Sequence, residues 1–235
     1  MPLPKLQHPI YELTLPSTNQ QVKFRPFLVR EEKILLMAKQ SDDPKEIVRA
    51  LKQIINNCIV EPQLDVEQLA TFDLEYFFLK LRSKSVNNMV SLSYKDFEDD
   101  KVYTVEVDLD DVQIKRDPAH TNKIRINETV GLTLRYPSAE IYSKMSASDE
   151  NEAALGAVKW CIDTVYDEDN VYPLKDFTDK EVDEFIQSLD VNSLERILDF
   201  FRTMPKLHYE VKYVNSLGNS RSIDLDTLSD FFTLG

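Results

Sequence analysis

The 235-residue sequence predicts an α+β fold. Three observations predict it: helical stripes of apolar residues within residues 1–90, alternation of apolar and polar residues after Asn88, and helical stripes again over the final hundred residues. We therefore expect helical N-terminal and C-terminal segments with small antiparallel β-hairpins. A small antiparallel sheet is expected between the two helical segments.

The N-terminal region is predicted to begin with two short strands, at residues 10–15 and 22–26, joined by a polar turn. A helix is predicted from about Leu28 to Gln40. A second helix is predicted to begin at Pro44, with Asp43 as its N-cap, because both residue types are favoured at those positions.

Apolar residues at three- and four-residue spacing predict the buried face of each helix in this region. The second helix carries Ile47, Leu51, Ile54, Ile55 and Cys58, and the next helix carries Leu74, Phe77, Phe78 and Leu81. Such stripes are typical of core packing. Cys58, and Cys161 on a later stripe, are accordingly predicted to be buried, reduced thiols.

The middle of the chain predicts a β-hairpin around the acidic turn at residues 98–100 and further strands at 123–126 and 130–136. These strands are expected to form the central sheet. The hairpin sequence is loosely similar in order to a stretch near the C-terminus, which has a polar turn at residues 216–219. That C-terminal hairpin is predicted to lead into a short helix.

Three amphipathic helices are predicted between the central sheet and the last hairpin. The first stripe consists of Ala154, Ala157, Val158, Cys161, Ile162 and Val165. Thr178 and Glu181 predict a capping box at the start of the second helix. The third helix is predicted to end near Met204, because Pro205 disfavours helical geometry in the residue that precedes it.

The predicted elements group into three regions, and charge is unevenly distributed among them. They are a mainly helical region at 1–90, a small β region at 91–136 and an acidic helical region at 137–235. Residues 1–90 carry 12 basic and 11 acidic side chains, whereas the remaining residues carry 16 basic and 30 acidic ones. An acidic surface repels phosphate backbones, so we expect no nucleic-acid partner.

The sequence predicts neither a membrane segment nor a secretion signal. No apolar run approaches the about 20 residues that span a bilayer. The N-terminus also lacks the apolar stretch of a signal peptide. A cytoplasmic protein is therefore expected.

The sequence contains no recognised catalytic or metal-binding motif, and we predict a protein that is not an enzyme and has no cofactor or metal. Phosphate-binding and dinucleotide-binding glycine loops are absent, and the three histidines lie far apart. A calcium loop starting at Asp96 fails, because Lys101 replaces the required glycine and Val107 replaces the closing glutamate.

Five residues are predicted to contact a protein partner: Lys80, Arg82 and Lys84 on the third helix, and Phe231 and Phe232 near the C-terminus. The basic trio follows an apolar helical stripe in an otherwise acidic chain. The alternative for the trio is a solvated helix flank, or positive charges that stabilise the C-terminal end of the helix dipole.

Three segments carry a family resemblance. KFRPFLVREEKILLMAKQ at residues 23–40, IINNCI at residues 54–59 and FDLEYFFLKLRSKSV at residues 72–86, in this order, resemble the T-even-type bacteriophage baseplate hub assembly protein family. This is a group of small tail-assembly proteins of myoviruses. The similarity is densest over residues 20–90.

The resemblance implies a role in the central hub of a contractile-tail baseplate, either as a hub component or as an assembly factor that leaves. It implies hub or tail proteins as partners, a homo-oligomer or symmetric assembly, and a location in the host cytoplasm or the virion baseplate. The alternatives are a transient chaperone for tape-measure or other tail proteins and, third, a baseplate-associated hydrolase with perturbed carboxylates in a polar cleft. Residues 23–37 and 74–86 are expected to form the structural centre, and the acidic C-terminal part to supply a recognition surface.

Overall fold

The computed structural model describes residues 6–41, 43–141 and 150–231. The described chain forms two compact units. Unit 1 combines residues up to Lys115 with those from Lys206 onward, and unit 2 consists of residues between Arg116 and Pro205. The predicted α+β class is confirmed, because helices and small antiparallel sheets occur in both units.

The elements alternate between helices and strands along the whole described chain. Up to Lys115 they are β1 (Tyr11–Thr14), β2 (Gln21–Phe24), α1 (Val29–Ser41), α2 (Pro44–Cys58), β3 (Ile59–Glu61), a 3-10 turn (Val66–Gln68), α3 (Thr71–Ser85), β4 (Met89–Lys95), β5 (Val102–Asp108) and β6 (Gln113–Lys115). Unit 2 contains β7 (Lys123–Arg125), β8 (Gly131–Leu134), α4 (Glu150–Cys161), β9 (Ile162–Tyr166), β10 (Val171–Pro173), a second 3-10 turn (Leu174–Asp176), α5 (Asp179–Gln187) and α6 (Val191–Thr203). Unit 1 is completed by β11 (Lys206–Val214), β12 (Ser220–Leu225) and a third 3-10 turn (Leu228–Phe231).

The strands form several small antiparallel sheets rather than one central sheet. Their orders are β1-β2-β3, β4-β5 and β12-β11-β6 in unit 1, and β10-β9-β8-β7 in unit 2. The strands predicted between residues 91 and 136 are thus divided among different sheets. Because β6 pairs with β11, the C-terminal hairpin joins unit 1, and the units follow boundaries different from those of the three predicted regions.

Local signals in the sequence predict most element ends correctly. The Asp43 carboxylate accepts a hydrogen bond from the Lys45 amide at 2.9 Å and caps α2. Thr178 and Glu181 form the predicted capping box. The third helix predicted between the central sheet and the last hairpin, α6, ends at Thr203, with Met204 as its C-cap.

The first C-terminal stripe was predicted wrongly over its second half. Ile162 and Val165 lie in strand β9, which pairs with β8, and the helix ends at Cys161. The β-branched residues from Ile162 onward suit a strand, and pairing with β8 satisfies their backbone groups. The side chain of Ala154 lies outside the described residues.

Helix α3 lies at the centre of unit 1. The Phe77 ring packs on Phe24 of β2, with ring centroids 5.4 Å apart. On another face of the helix, Leu79 joins a buried cluster with Leu207 and Leu225 of the C-terminal hairpin. The helix therefore links the core of the first ninety residues to the hairpin strands that return from the end of the chain.

Cys58 and Cys161 are free and fully buried, as predicted. Burial raises the pKa of the Cys58 thiol to about 11 and that of Cys161 to about 12. Both side chains are consequently neutral and pack as small apolar groups.

A similar order of elements occurs twice along the chain. A hairpin (β1-β2 or β7-β8) precedes a helix that ends in cysteine, and the strand after that helix pairs with the second strand of the hairpin. A 3-10 turn, one helix and the hairpin β4-β5 follow in the first half, whereas β10, a 3-10 turn, two helices and the hairpin β11-β12 follow in the second. In both halves the register of this strand pairing shifts close to the cysteine.

The two halves also share one contact in detail. The amide of Arg25 donates to the carbonyl of Cys58 at 2.9 Å, and the amide of Arg135 donates to that of Cys161 at 2.7 Å. Each arginine side chain also donates a hydrogen bond to the backbone carbonyl of the residue before the cysteine. Arg25 donates to Asn57 at 2.8 Å, and Arg135 donates to Trp160 at 3.0 Å. In both halves the arginine satisfies carbonyls at a helix C-terminus, which have no partner within the helix.

In the first half, this arginine is held by a buried carboxylate. Glu31 is fully buried, and its side chain accepts from Arg25 Nη2 at 3.0 Å and from Arg30 Nε at 2.6 Å. It also accepts from the Leu28 amide at 2.9 Å, which caps the start of α1. The RPF…REE part of the family-like segment is therefore a structural joint between β2, α1 and α2.

We expect Glu31→Gln to reduce the free energy of unfolding at pH 7 by about 3 kcal/mol, because it leaves the Arg25 charge without its buried partner. Burial alone would raise the pKa of Glu31, but hydrogen bonds from Arg25, Leu28 and Arg30 lower it from 4.5 to about 2. The stability due to this ionisation is therefore present above pH 4.5 and is lost as the pH falls towards 2. Urea unfolding at several pH values measures both effects.

The matched control is Glu46→Gln, which breaks the exposed Glu46–Arg49 pair and should cost no more than about 0.5 kcal/mol. Equal losses in the two variants would contradict a structural role for the buried pair.

Candidate interaction surfaces

Two histidines, His120 and His208, are engaged in local hydrogen bonds. Among these residues no three His, Cys, Asp or Glu side chains come together in a group that could hold a metal ion. His120 lies between the Thr203 hydroxyl and the Tyr136 hydroxyl, at 2.9 and 3.0 Å, and His208 contacts Asp226 at 3.1 Å. The histidines of the two units thus serve separate local networks.

One carboxyl group has a strongly perturbed pKa. Burial raises the pKa of Glu75 to about 7, and the nearby charge of Asp230 acts in the same direction. The Glu75 carboxyl also accepts a hydrogen bond from the Leu228 backbone, which opposes this rise. This hydrogen bond connects α3 to the third 3-10 turn.

The basic trio on α3 lies next to the segment that follows β5. Lys80 donates to the carbonyls of Leu109, Asp110 and Val112 at 3.0, 2.6 and 3.0 Å. Lys84 pairs with the Asp110 carboxylate at 2.8 Å. Two of the three cations therefore hold this segment against the helix.

The remaining predicted partner residues are placed differently. Arg82 is half-buried, and burial lowers its pKa. Phe231 is buried in the cluster that contains Leu79 and Leu207, and in this conformation its ring is not at the surface. Phe232 lies outside the described residues. Partner contact by these five residues stays a prediction.

The acidic turn that failed as a calcium loop holds the turn of the C-terminal hairpin. Asp96 accepts a hydrogen bond from the Tyr213 hydroxyl at 2.8 Å, and Glu98 accepts one from the Asn215 amide group at 2.6 Å. The Asp99 carboxylate accepts from both the amide and the hydroxyl of Ser216, at 3.0 and 2.8 Å. Hydrogen bonds thus join the turn of β4-β5 to the turn of β11-β12.

Two large apolar side chains project from these joined turns. Phe97 is 92% exposed and Leu217 is 60% exposed. Gly218 completes the second turn with a φ of 85°, a conformation that side chains disfavour. We call Phe97 and Leu217, with the turns that carry them, the turn surface.

A second apolar surface lies on α1. Val29, Leu36 and Met37 are 82%, 55% and 61% exposed, and at 3.6 residues per turn they lie within about 100° of one another around the helix axis. The described side chains of this helix that are buried are Glu31 and Ala38. We call the three exposed residues the α1 face.

Sequence reasoning missed both surfaces. An aromatic residue at the centre of an acidic turn was a usable signal for Phe97, because turn residues seldom reach the core. The α1 face had no comparable signal, since the apolar residues of α1 do not form a single stripe like that of α2.

Asp99→Asn should loosen the joined turns, because it removes the charge that strengthens the hydrogen bonds from Ser216. We expect the Ser216 amide hydrogen to exchange about tenfold faster in this variant, measured by NMR. Asp100→Asn is the control, since Asp100 pairs with Lys95 inside its own hairpin. If Ser216 exchange were unchanged in the Asp99 variant, the turns would not depend on this carboxylate.

No helix among the described residues is long and apolar enough to cross a membrane.

Comparison with known proteins agrees with the resemblance seen in the sequence. No curated protein and no solved structure matches the chain. A family model described as T4 bacteriophage base plate protein matches residues 8–233. Because the match covers nearly the whole sequence, the chain belongs to the T4 bacteriophage base plate protein family.

Proposed function

We propose that this baseplate protein is a non-enzymatic hub protein, which forms part of the central hub of a contractile-tail baseplate or assembles it. Family membership supports a structural role in the baseplate. The observation that supports protein contact most strongly is Phe97, an aromatic side chain that is 92% exposed on a turn held by hydrogen bonds.

The turn surface has the features of a binding hot spot. Aromatic anchors that enter a partner's pocket contribute a large share of binding energy at many interfaces. Anchors on a preorganised turn lose less conformational freedom when they bind. Carboxylates bonded to the second turn provide that preorganisation, so both Phe97 and Leu217 are presented in a defined arrangement.

Charge around the turn surface indicates the kind of partner. Four acidic residues, Asp96 and Glu98 to Asp100, flank Phe97 in sequence, and the whole chain carries a net charge of −13. We infer that the partner offers an apolar pocket with a basic rim. Hub or tail proteins of the same phage are the proposed partners, rather than nucleic acid, and several copies would bind in a symmetric baseplate.

A transient chaperone of tape-measure or other tail proteins is the second candidate, and the α1 face favours it. An exposed apolar helix face suits contact with a helical client segment. The two candidates differ in where the protein ends up. A hub component would be made in the host cytoplasm and remain in the virion, whereas a chaperone would be absent from finished particles.

We expect the double variant Phe97→Ser, Leu217→Ser to weaken binding to hub proteins by about 30-fold or more, because it removes two anchor side chains. The measurement is co-purification of the tagged full-length protein from infected cells, with phage hub proteins quantified by mass spectrometry. A truncation near residue 135 would be less informative, because it removes β11 and β12 from unit 1.

Val191→Ser is the matched control, because Val191 is also highly exposed but lies in unit 2. Unchanged recovery of hub proteins with the double variant would refute the turn surface as the docking site. Mass spectrometry of purified particles beside lysate then separates a hub component, found in both, from an assembly factor, found only in lysate.

A further inference from the structure

The repeated order of elements allows the two halves to be compared residue by residue. The first and second 3-10 turns are each followed by a C-cap residue, a helix N-cap and a helix, with the same spacing in both halves. Val66 therefore corresponds to Leu174 and Leu69 to Phe177. By the same offset, Leu74 in α3 corresponds to Val182 in α5, and Phe77 corresponds to Phe185.

Three of these four pairs of positions differ in exposure. In unit 1, Val66, Leu69, Leu74 and Phe77 are all buried. In unit 2, Val182 is also buried, but Leu174 and Phe185 are only partly buried and Phe177 is 40% exposed. These four counterparts line an apolar cavity of about 280 Å³, together with Val165, Tyr172 and Glu181.

A second cavity, of about 360 Å³, adjoins the apolar one and shares Leu174, Phe177 and Val182 with it. Its lining includes Arg135, Lys159 and Lys175, together with Asp163 and Asp179. Lys159 is paired with Asp183 at 2.8 Å. Within the ranges that the structure describes, no carboxylate forms an ion pair with Arg135 or Lys175.

The comparison of halves explains why Arg135 is without such a pair there. Arg25 is bound by Glu31, six residues later, whereas the residue six positions after Arg135 is the buried Ile141. The Arg135 side chain keeps its bond to the Trp160 carbonyl and is otherwise exposed beside the second cavity. A carboxylate from outside this unit could occupy the place that Glu31 fills in the first half.

We propose that the paired cavities of unit 2 bind a partner protein segment in which a large apolar side chain stands next to an acidic residue. The apolar side chain enters the cavity beside Phe177, and the carboxylate reaches Arg135 and Lys175. The apolar cavity is slightly smaller than the about 300 Å³ at which small-molecule pockets begin, which suits a single anchor side chain. This inference goes beyond the proposed hub role and does not depend on it.

Three capped peptides test the proposal with the full-length protein: Gly-Glu-Phe-Glu-Gly, its Gly-Lys-Phe-Lys-Gly counterpart and Gly-Glu-Ser-Glu-Gly. Binding is followed by the fluorescence of Trp160, the only tryptophan in the chain, which lines the second cavity. We expect the Glu-Phe-Glu peptide to bind with a dissociation constant on the order of 1 mM. The other two peptides should bind at least about tenfold more weakly.

Variants assign the binding to the two cavities. Phe177→Ser should weaken the Glu-Phe-Glu peptide by about tenfold, and Val191→Ser should not change its affinity. Lys175→Glu should likewise weaken it, whereas Lys180→Glu, an exposed charge outside both cavities, should have little effect. Arg135→Gln provides a second charge variant, with thermal unfolding to verify its fold.

The proposal is overturned if the Lys-Phe-Lys peptide binds as tightly as the Glu-Phe-Glu peptide, or if the Glu-Ser-Glu peptide does. It is equally overturned if Phe177→Ser and Lys175→Glu leave the affinity of the Glu-Phe-Glu peptide unchanged. Loss of binding in these two variants but in neither control supports the assigned site.

Discussion

Both halves of the chain depend on hydrogen bonds from an arginine to the last backbone carbonyls of a helix. Arg25 and Arg135 each follow the second strand of a hairpin, and each binds the last carbonyls of a helix that ends in a buried cysteine. Those carbonyls have no partner within the helix and require one from outside it. The arginine supplies that partner and thereby determines where the returning strand begins.

The two halves differ in how the charge of this arginine is neutralised. In unit 1, Glu31 completes the joint and also begins α1, so strand, helix start and helix end meet at one buried ion pair. In unit 2, Ile141 occupies the position that corresponds to Glu31, and Arg135 borders a cavity. The same arginine contact is therefore closed by a buried ion pair in one half and lies beside a cavity in the other.

The sequence predicts where helices and strands occur better than it predicts which strands pair. Side-chain caps such as Asp43 and Thr178 act within a few residues, so the helix starts they mark are readable locally. The error at Ile162 arose because the apolar spacing of α4 continues into a strand whose partner, β8, is distant in the sequence. The pairing of β6 with β11 was equally unreadable, because it joins segments about ninety residues apart.

The same limit applies to the candidate sites. Charge identifies Lys80 and Lys84 as unusual, but only the fold shows that backbone carbonyls and Asp110 occupy them. Likewise, apolar residues are buried in the stripe of α2 but exposed at Leu36 and Met37 of α1. Whether an apolar face is covered depends on neighbouring elements, which a single chain does not specify locally.

Nitrogen-15 relaxation of the arginine side chains tests most directly whether the two joints differ as described. We expect the guanidinium group of Arg25, bound by Glu31 and two carbonyls, to be rigid on the nanosecond timescale. We expect Arg135 to be restrained at Nε by the Trp160 carbonyl, with terminal nitrogens that rotate faster. Equal mobility of the terminal nitrogens in the two arginines would show that the two contacts do not differ in this way.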